Sequence, residues 1–114
     1  MSEPQHLQAL ALANEIRLQH VAIRKQIKAG EVTFQQAINL PYGDRMPILK
    51  LFGAYRRSGP QRAAQVCRAA NVREDRAWRD LTERQQRILL ELGEWWDQGH
   101  RMLPWHYNEW RVGS

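Results

Sequence analysis

The sequence predicts an all-α fold, and three observations carry that prediction. Apolar residues recur at three- and four-residue spacing along most of the chain, the periodicity of helices with one buried side. No stretch alternates polar and apolar residues as a strand would, and there is no long β-branched run. The short breaks between periodic stretches carry Gly, Pro and Thr-x-x-Gln pairs, which stop and start helices. The expected organisation is a long N-terminal helix over residues 1–32, a helical domain over 33–99, and an aromatic C-terminal extension over 100–114.

The first helix begins near Pro4, with Ser2 or Glu3 as its cap, and ends at Ala29 with Gly30 beyond it. Leu12, Ile16, His20, Ile23 and Ile27 define its buried side, while Arg17, Arg24 and Lys28 form a second stripe, either a solvated edge or an auxiliary contact to nucleic acid. In "TFQQAINL", Thr33 and Gln36 make a capping box for a short second helix. Pro41 and Gly43 in "PYGDR" then impose a turn. A third helix runs from Asp44 or Pro47 to Tyr55, with Ile48, Leu51, Phe52 and Tyr55 inward. The fourth starts at Pro60, buries Ala63, Val66, Cys67 and Ala70, and ends near Asn71. After the irregular "VREDRAWRDL", Thr82 and Gln85 form another capping box. That last helix buries Ile88, Leu89 and Leu92 and runs to about Gly99.

Charge is distributed unevenly. From Arg56 to Arg87 there are nine arginines against Glu74, Asp75, Asp80 and Glu83, a surplus of five, whereas the remainder holds eight basic and eight acidic residues. The excess lies in one contiguous window, and fourteen of its seventeen basic side chains across the chain are Arg, the residue suited to bidentate phosphate contact. With Cys67 alone there is no internal disulfide, which suits a reducing cytosol. No apolar run approaches the length needed to cross a bilayer, and the first residues lack the pattern of a signal peptide. The expectation is a soluble cytoplasmic protein.

The break "RRSGPQR" concentrates the chemistry. Gly59 permits a backbone geometry and a close approach that a Cβ would obstruct, and Pro60 is preset for a first helical position. The free N–H groups of such a helix start attract anions, with Arg56, Arg57 and Arg62 around them and Ser58 within the turn. A second basic segment, "REDRAWRDLTERQQR", repeats Arg73, Arg76 and Arg79 every third residue, placed to offer guanidinium groups to phosphates across a groove. Trp78 between them is either a core plug or a wedge against DNA. The candidate DNA-binding residues are therefore Arg56, Arg57, Ser58, Gly59, Arg62, Arg73, Arg76 and Arg79.

The run "GPQRAAQVCRAANV", followed by "REDRAWRDLTERQQRILLEL", resembles the DNA-binding core of the actinobacterial (mycobacterial-type) integration host factor family. The likeness continues upstream through "RMPILKLF" and "IRKQIKAGEVTFQQAI" and spans roughly residues 13–93. It implies a helix–two-turn–helix fold and a nucleoid-associated protein. Such a protein binds double-stranded DNA with little sequence preference, bends or compacts it, and assists site-specific integration, with an integrase or recombinase as a further partner. It also implies that Gly59 is the turn glycine, that Arg62 touches phosphate, and that Arg76 and Arg79 belong to an arginine-rich loop. Three positions depart from the family: Pro60 stands where a basic residue is expected, Ala77 replaces a third loop position, and Trp78 stands where the family has Leu. Arg56, Arg57 and Arg73 are placed to restore that charge.

Beyond the likeness, "GEWWDQGHRMLPWHYNEWRVGS" holds Trp95, Trp96, Trp105, Tyr107 and Trp110. This tail either folds back to enlarge the core or forms a protein–protein interface, as on a phage-borne protein that modulates a host DNA-binding factor or recombinase. Catalysis is not expected. The four His and Cys67 do not fall into zinc spacing, and no phosphate-loop or dinucleotide fingerprint is present. DNA glycosylases sharing the element use an N-terminal proline amine, whereas this chain starts Met1-Ser2-Glu3-Pro4. No metal, cofactor or membrane contact is expected.

Overall fold

The computed structural model describes residues 3–105 and 107, and within them the chain forms five α-helices, two 3-10 turns and no strand. Helix α1 spans Glu3–Lys28 and is closed by Gly30, where the Glu31 N–H reaches the Gln26 carbonyl at 2.9 Å. Only part of its expected buried side is buried. Ile23 and Ile27 enter the core, Ile16 and His20 are half-buried, and Leu12 is exposed. The cause is geometric: residues 5–15 project past the body of the molecule, which measures 55 × 30 × 21 Å overall.

Helix α2, Phe34–Asn39, begins at the expected capping box. The Thr33 hydroxyl accepts from the Gln36 N–H at 3.2 Å, and the Gln36 side chain accepts from the Thr33 N–H at 2.8 Å. The "PYGDR" turn is tighter than expected, since Gly43–Arg45 winds as a 3-10 turn. A Cβ on Gly43 would lie 1.9 Å from the Ala37 carbonyl oxygen, so only glycine fits there. Helix α3 is therefore shorter than the sequence suggests, Ile48–Gly53, yet Ile48, Leu51, Phe52 and Tyr55 are all buried as expected.

Helix α4, Gly59–Ala69, packs closely on α3 and buries Ala63, Val66 and Cys67, with Ala70 just beyond it. Left-handed Asn71 ends it, with Val72 N–H bonded to the Cys67 carbonyl at 2.8 Å and Asn71 N–H to the Arg68 carbonyl at 3.1 Å. The irregular segment contains a 3-10 turn at Trp78–Asp80. Helix α5, Glu83–Asp97, opens at the Thr82–Gln85 capping box and buries Leu89, Leu92 and Trp96, with Ile88 half-buried.

An aromatic cluster joins these helices. Phe34 lies 4.9 Å from Phe52 by ring centroid and meets Trp78 edge-on at 5.7 Å, while Phe52 meets Trp96 edge-on at 5.8 Å. Trp78 thus packs against the core, the first of its two expected roles. Gly93 lets α5 come close to α2, since a Cβ there would sit 2.5 Å from the Phe34 ring.

Most of the described tail folds back. Leu103 and Tyr107 are buried, the Tyr107 hydroxyl donates to Glu91 at 2.8 Å, and the Trp95 indole donates to the Met102 carbonyl at 2.8 Å. Trp105 departs from this pattern and is 73 % exposed. Trp110 lies outside the described residues. One continuous core runs from Ile23 through Trp96 to Leu103 and Tyr107, so the three expected stretches share it.

Gly93→Ala should lower thermal stability although Ala favours helix by up to about 1 kcal/mol. Overpacking against Phe34 typically costs about 1–3 kcal/mol, and a melting curve reads the balance. Cutting the chain after Gly99 removes Leu103 and Tyr107, each typically worth about 1.5–3 kcal/mol when buried. The melting temperature should then drop by about 10 °C or more. An unchanged value would show that the tail contributes nothing to the core.

Candidate nucleic-acid interface

The connection between α3 and α4 is a tight turn whose shape is set by two left-handed residues. The Ser58 N–H bonds to the Tyr55 carbonyl at 3.1 Å, Arg57 has φ +61° and Gly59 has φ +65°. For Gly59 this conformation costs little. For Arg57 it costs about 1 kcal/mol, because a Cβ crowds the neighbouring carbonyl. Space around the Gly59 α-carbon is open, with no atom within 4 Å of where a Cβ would stand. No side chain caps the start of α4, which leaves its first N–H groups facing outward.

Ser58 requires a correction. Its side chain is 4 % exposed, and its hydroxyl accepts a hydrogen bond from the Trp96 indole N–H at 3.1 Å. The turn is draped over Trp96, so this hydroxyl points inward and is not available to a phosphate.

Arg56 and Arg57 are exposed on the outer side of the turn. Across from them runs the C-terminal half of α1, and together they form a groove of about 440 Å³ lined by Arg24, Lys25 and Lys28 on one wall and Gly53–Arg57 on the other. The second basic stripe of the first helix therefore shares a groove with the turn. A neighbouring hollow of about 310 Å³ carries Lys28 and Arg56 on towards Arg101. Burial lowers the Arg101 pKa first, and the nearby Arg57 charge lowers it further, against the opposing effects of Tyr55 and Asp97.

The arginine-rich loop lies elsewhere on the same pair of helices. The Arg76 carbonyl accepts from the Ile48 N–H at 2.9 Å, and Ala77 pairs with Pro47, which fixes the loop at the start of α3. The turn with Arg56 and Arg57 is at the other end of that helix. Six residues of helix separate the two groups by about 9 Å along its axis. Arg73, Arg76 and Arg79 are exposed, and Arg62 is half-buried one turn into α4. Arg73 and Asp75 form the one ion pair between described residues, at 3.3 Å and well exposed.

Sequence reasoning passed over Asp97, Arg101 and Lys25. The Asp97 carboxylate accepts from the Phe34 N–H at 3.0 Å and from the Tyr55 hydroxyl at 2.5 Å. Burial raises its pKa, while those two hydrogen bonds and the Arg101 charge oppose the rise. The same burial, with the bond to Asp97, raises the pKa of Tyr55. Arg101 donates to the Arg56 carbonyl at 2.6 Å and to the Trp96 carbonyl at 2.8 Å, and its guanidinium lies 5.3 Å from the Tyr55 ring. No spacing in the sequence signals these long-range links. Lys25 was visible only as a neighbour of Arg24.

Burial pushes the Cys67 thiol up to about 12, so it is inert as a nucleophile. Among the described residues no three His, Cys, Asp or Glu side chains gather as a metal site. None of the described helices is long and apolar enough to cross a membrane. Comparison with protein-family models, curated proteins and solved structures gives no match.

Arg57→Gly should leave the melting temperature unchanged or raise it. The substitution relieves a left-handed residue and removes no hydrogen bond between described side chains. A clear loss of stability would mean that the Arg57 side chain supports the turn.

Proposed function

We propose that this protein binds duplex DNA through its phosphate backbone, with little sequence preference, on the face formed by the α3–α4 turn and the basic edge of α1. The observation that carries the reading is the groove in which Arg24, Lys25 and Lys28 face Arg56 and Arg57. Five cations from two separate elements converge there, and none of them is paired with a carboxylate of the described residues. The open backbone at Gly59 and the uncapped start of α4 add N–H donors at the same edge.

The loop cations Arg76 and Arg79 extend this face past the start of α3. The two clusters sit at opposite ends of the short α3, and on this reading both contact phosphates of one duplex. The resemblance to the actinobacterial integration host factor supplies the finer reading. On it, the protein is nucleoid-associated, bends or compacts DNA, and assists an integrase or recombinase in site-specific integration.

A band-shift titration with random-sequence duplex at several salt concentrations tests the proposal. Affinity should fall linearly on a log–log plot, each phosphate contact contributing about 0.9 to the slope. Arg57→Gly, Arg76→Ala and Arg79→Ala should each weaken every sequence alike and flatten the slope by about one. Salt-independent binding, or no binding, would overturn the reading, and an unaltered Arg76→Ala or Arg79→Ala protein would remove the loop from the interface.

A further inference from the structure

The first three turns of α1 have a face that the described structure leaves uncovered. Residues 5–15 are all exposed, and Leu7, Leu10 and Leu18 are 58, 54 and 59 % exposed. A solitary helix arm in water gains nothing from such leucines, and contiguous exposed apolar surface marks a docking site. Leu7, Ala11, Asn14 and Leu18 follow one another at spacings of four, three and four residues. That is the seam spacing of helices that pair with like helices. It lies on the side of α1 opposite Ile16, His20, Ile23 and Ile27, which face the body.

Several features decide the occupant. From Gln5 to Asn14 the arm contains no Lys, Arg, Asp or Glu, so it suits neither a nucleic acid nor a charged peptide. It does suit another apolar helix. We infer that the free arm of α1 pairs antiparallel with the arm of a second copy of this chain, each Leu7 against the partner's Leu18. In that register Ala11 lies against the partner's Asn14, and the small alanine permits close approach. The Asn14 Oδ1 already accepts from the Arg17 guanidinium at 2.7 Å.

Charge selects the direction. A parallel, in-register pair would set Arg17, Arg24, Lys25 and Lys28 of both copies side by side and press together two bodies that each hold the positive surplus. The antiparallel pair puts those bodies at opposite ends, with the turn between α3 and α4 open on each. In this register residues 5–20 of the two copies overlap, sixteen residues that make a shared seam about 24 Å long. The inference does not depend on what the basic groove binds.

Sedimentation equilibrium on the full chain tests it. The wild type should reach twice the monomer mass as concentration rises, and Leu7→Glu with Leu18→Glu should sediment as a monomer that melts where the wild type does when dilute enough to be monomeric, since both positions are exposed in the single chain. Mixing Leu7→Cys chains with Leu18→Cys chains under mild oxidation should give predominantly the mixed disulfide, because the native Cys67 is buried. A wild type that stays monomeric throughout, or a dimer that survives the double Glu change, would overturn the inference. Cross-linking dominated by Leu7→Cys to itself would overturn the antiparallel arrangement.

Discussion

The fold turns on a single carboxylate. Asp97, the last residue of α5, accepts from the N–H of Phe34 at the start of α2 and from the hydroxyl of Tyr55 just past α3. One side chain thereby joins three elements that are distant in sequence. It also acts on the α2 dipole, because a carboxylate at a helix N-terminus meets partial positive charge. The Thr33–Gln36 capping box satisfies the N–H groups of Thr33 and Gln36, and Asp97 satisfies that of Phe34. Burial opposes the charge on Asp97, and its two donors answer that cost. Removing either partner would leave a partly buried polar group without its bond, the more expensive of the two possible errors.

From this knot the shape of the α3–α4 turn follows. Tyr55 is held from beneath by Asp97, and Arg101 lies against the Tyr55 ring while donating to the Arg56 carbonyl. Ser58, the next anchored residue, is fixed by the Trp96 indole. The backbone between these anchors must therefore bend sharply, and Arg57 takes the left-handed conformation that the bend requires. Its side chain and that of Arg56 are pushed outward as a result. Backbone strain of this kind persists only where the surroundings over-determine it. Here the surroundings are the Trp96 indole, the Asp97 carboxylate and the Arg101 guanidinium, all supplied by residues far along the chain.

What was legible in the sequence was local. Thr33, Thr82 and their glutamines mark helix starts by a mechanism confined to four residues, and both capping boxes form as read. The inward positions of α3 and α4 follow from periodicity alone. Legibility fails where tertiary geometry decides. Leu12 has the right spacing to be buried, but the body of the protein does not extend far enough along α1 to cover it. Ser58 looks like an outward turn residue until Trp96, thirty-eight positions later, is seen to lie beneath it. Arg24 and Lys28 could be noted as a stripe, but the turn they face could not be. The sequence could group the arginine loop with the turn by charge, but it could not show that the fold sets them at opposite ends of α3.

The two walls of the basic groove are held by different contacts. The turn is fixed by Asp97, Arg101 and Trp96, as described above. The α1 wall is tied to the body by Ile23 and Ile27 in the core, by half-buried Ile16, and by a bond of 2.8 Å from His20 to the carbonyl of left-handed Tyr42. Beyond Glu15 towards the N-terminus nothing in the described body restrains it. Elements with few buried contacts open and shift at low free-energy cost, whereas densely packed ones move only with the whole fold. Arg24, Lys25 and Lys28 lie on the anchored part of α1, beside Ile23 and Ile27, so the core holds both walls of the groove and only the arm before Ile16 is free to shift. Anything that seizes that arm is joined to the groove wall through one continuous helix.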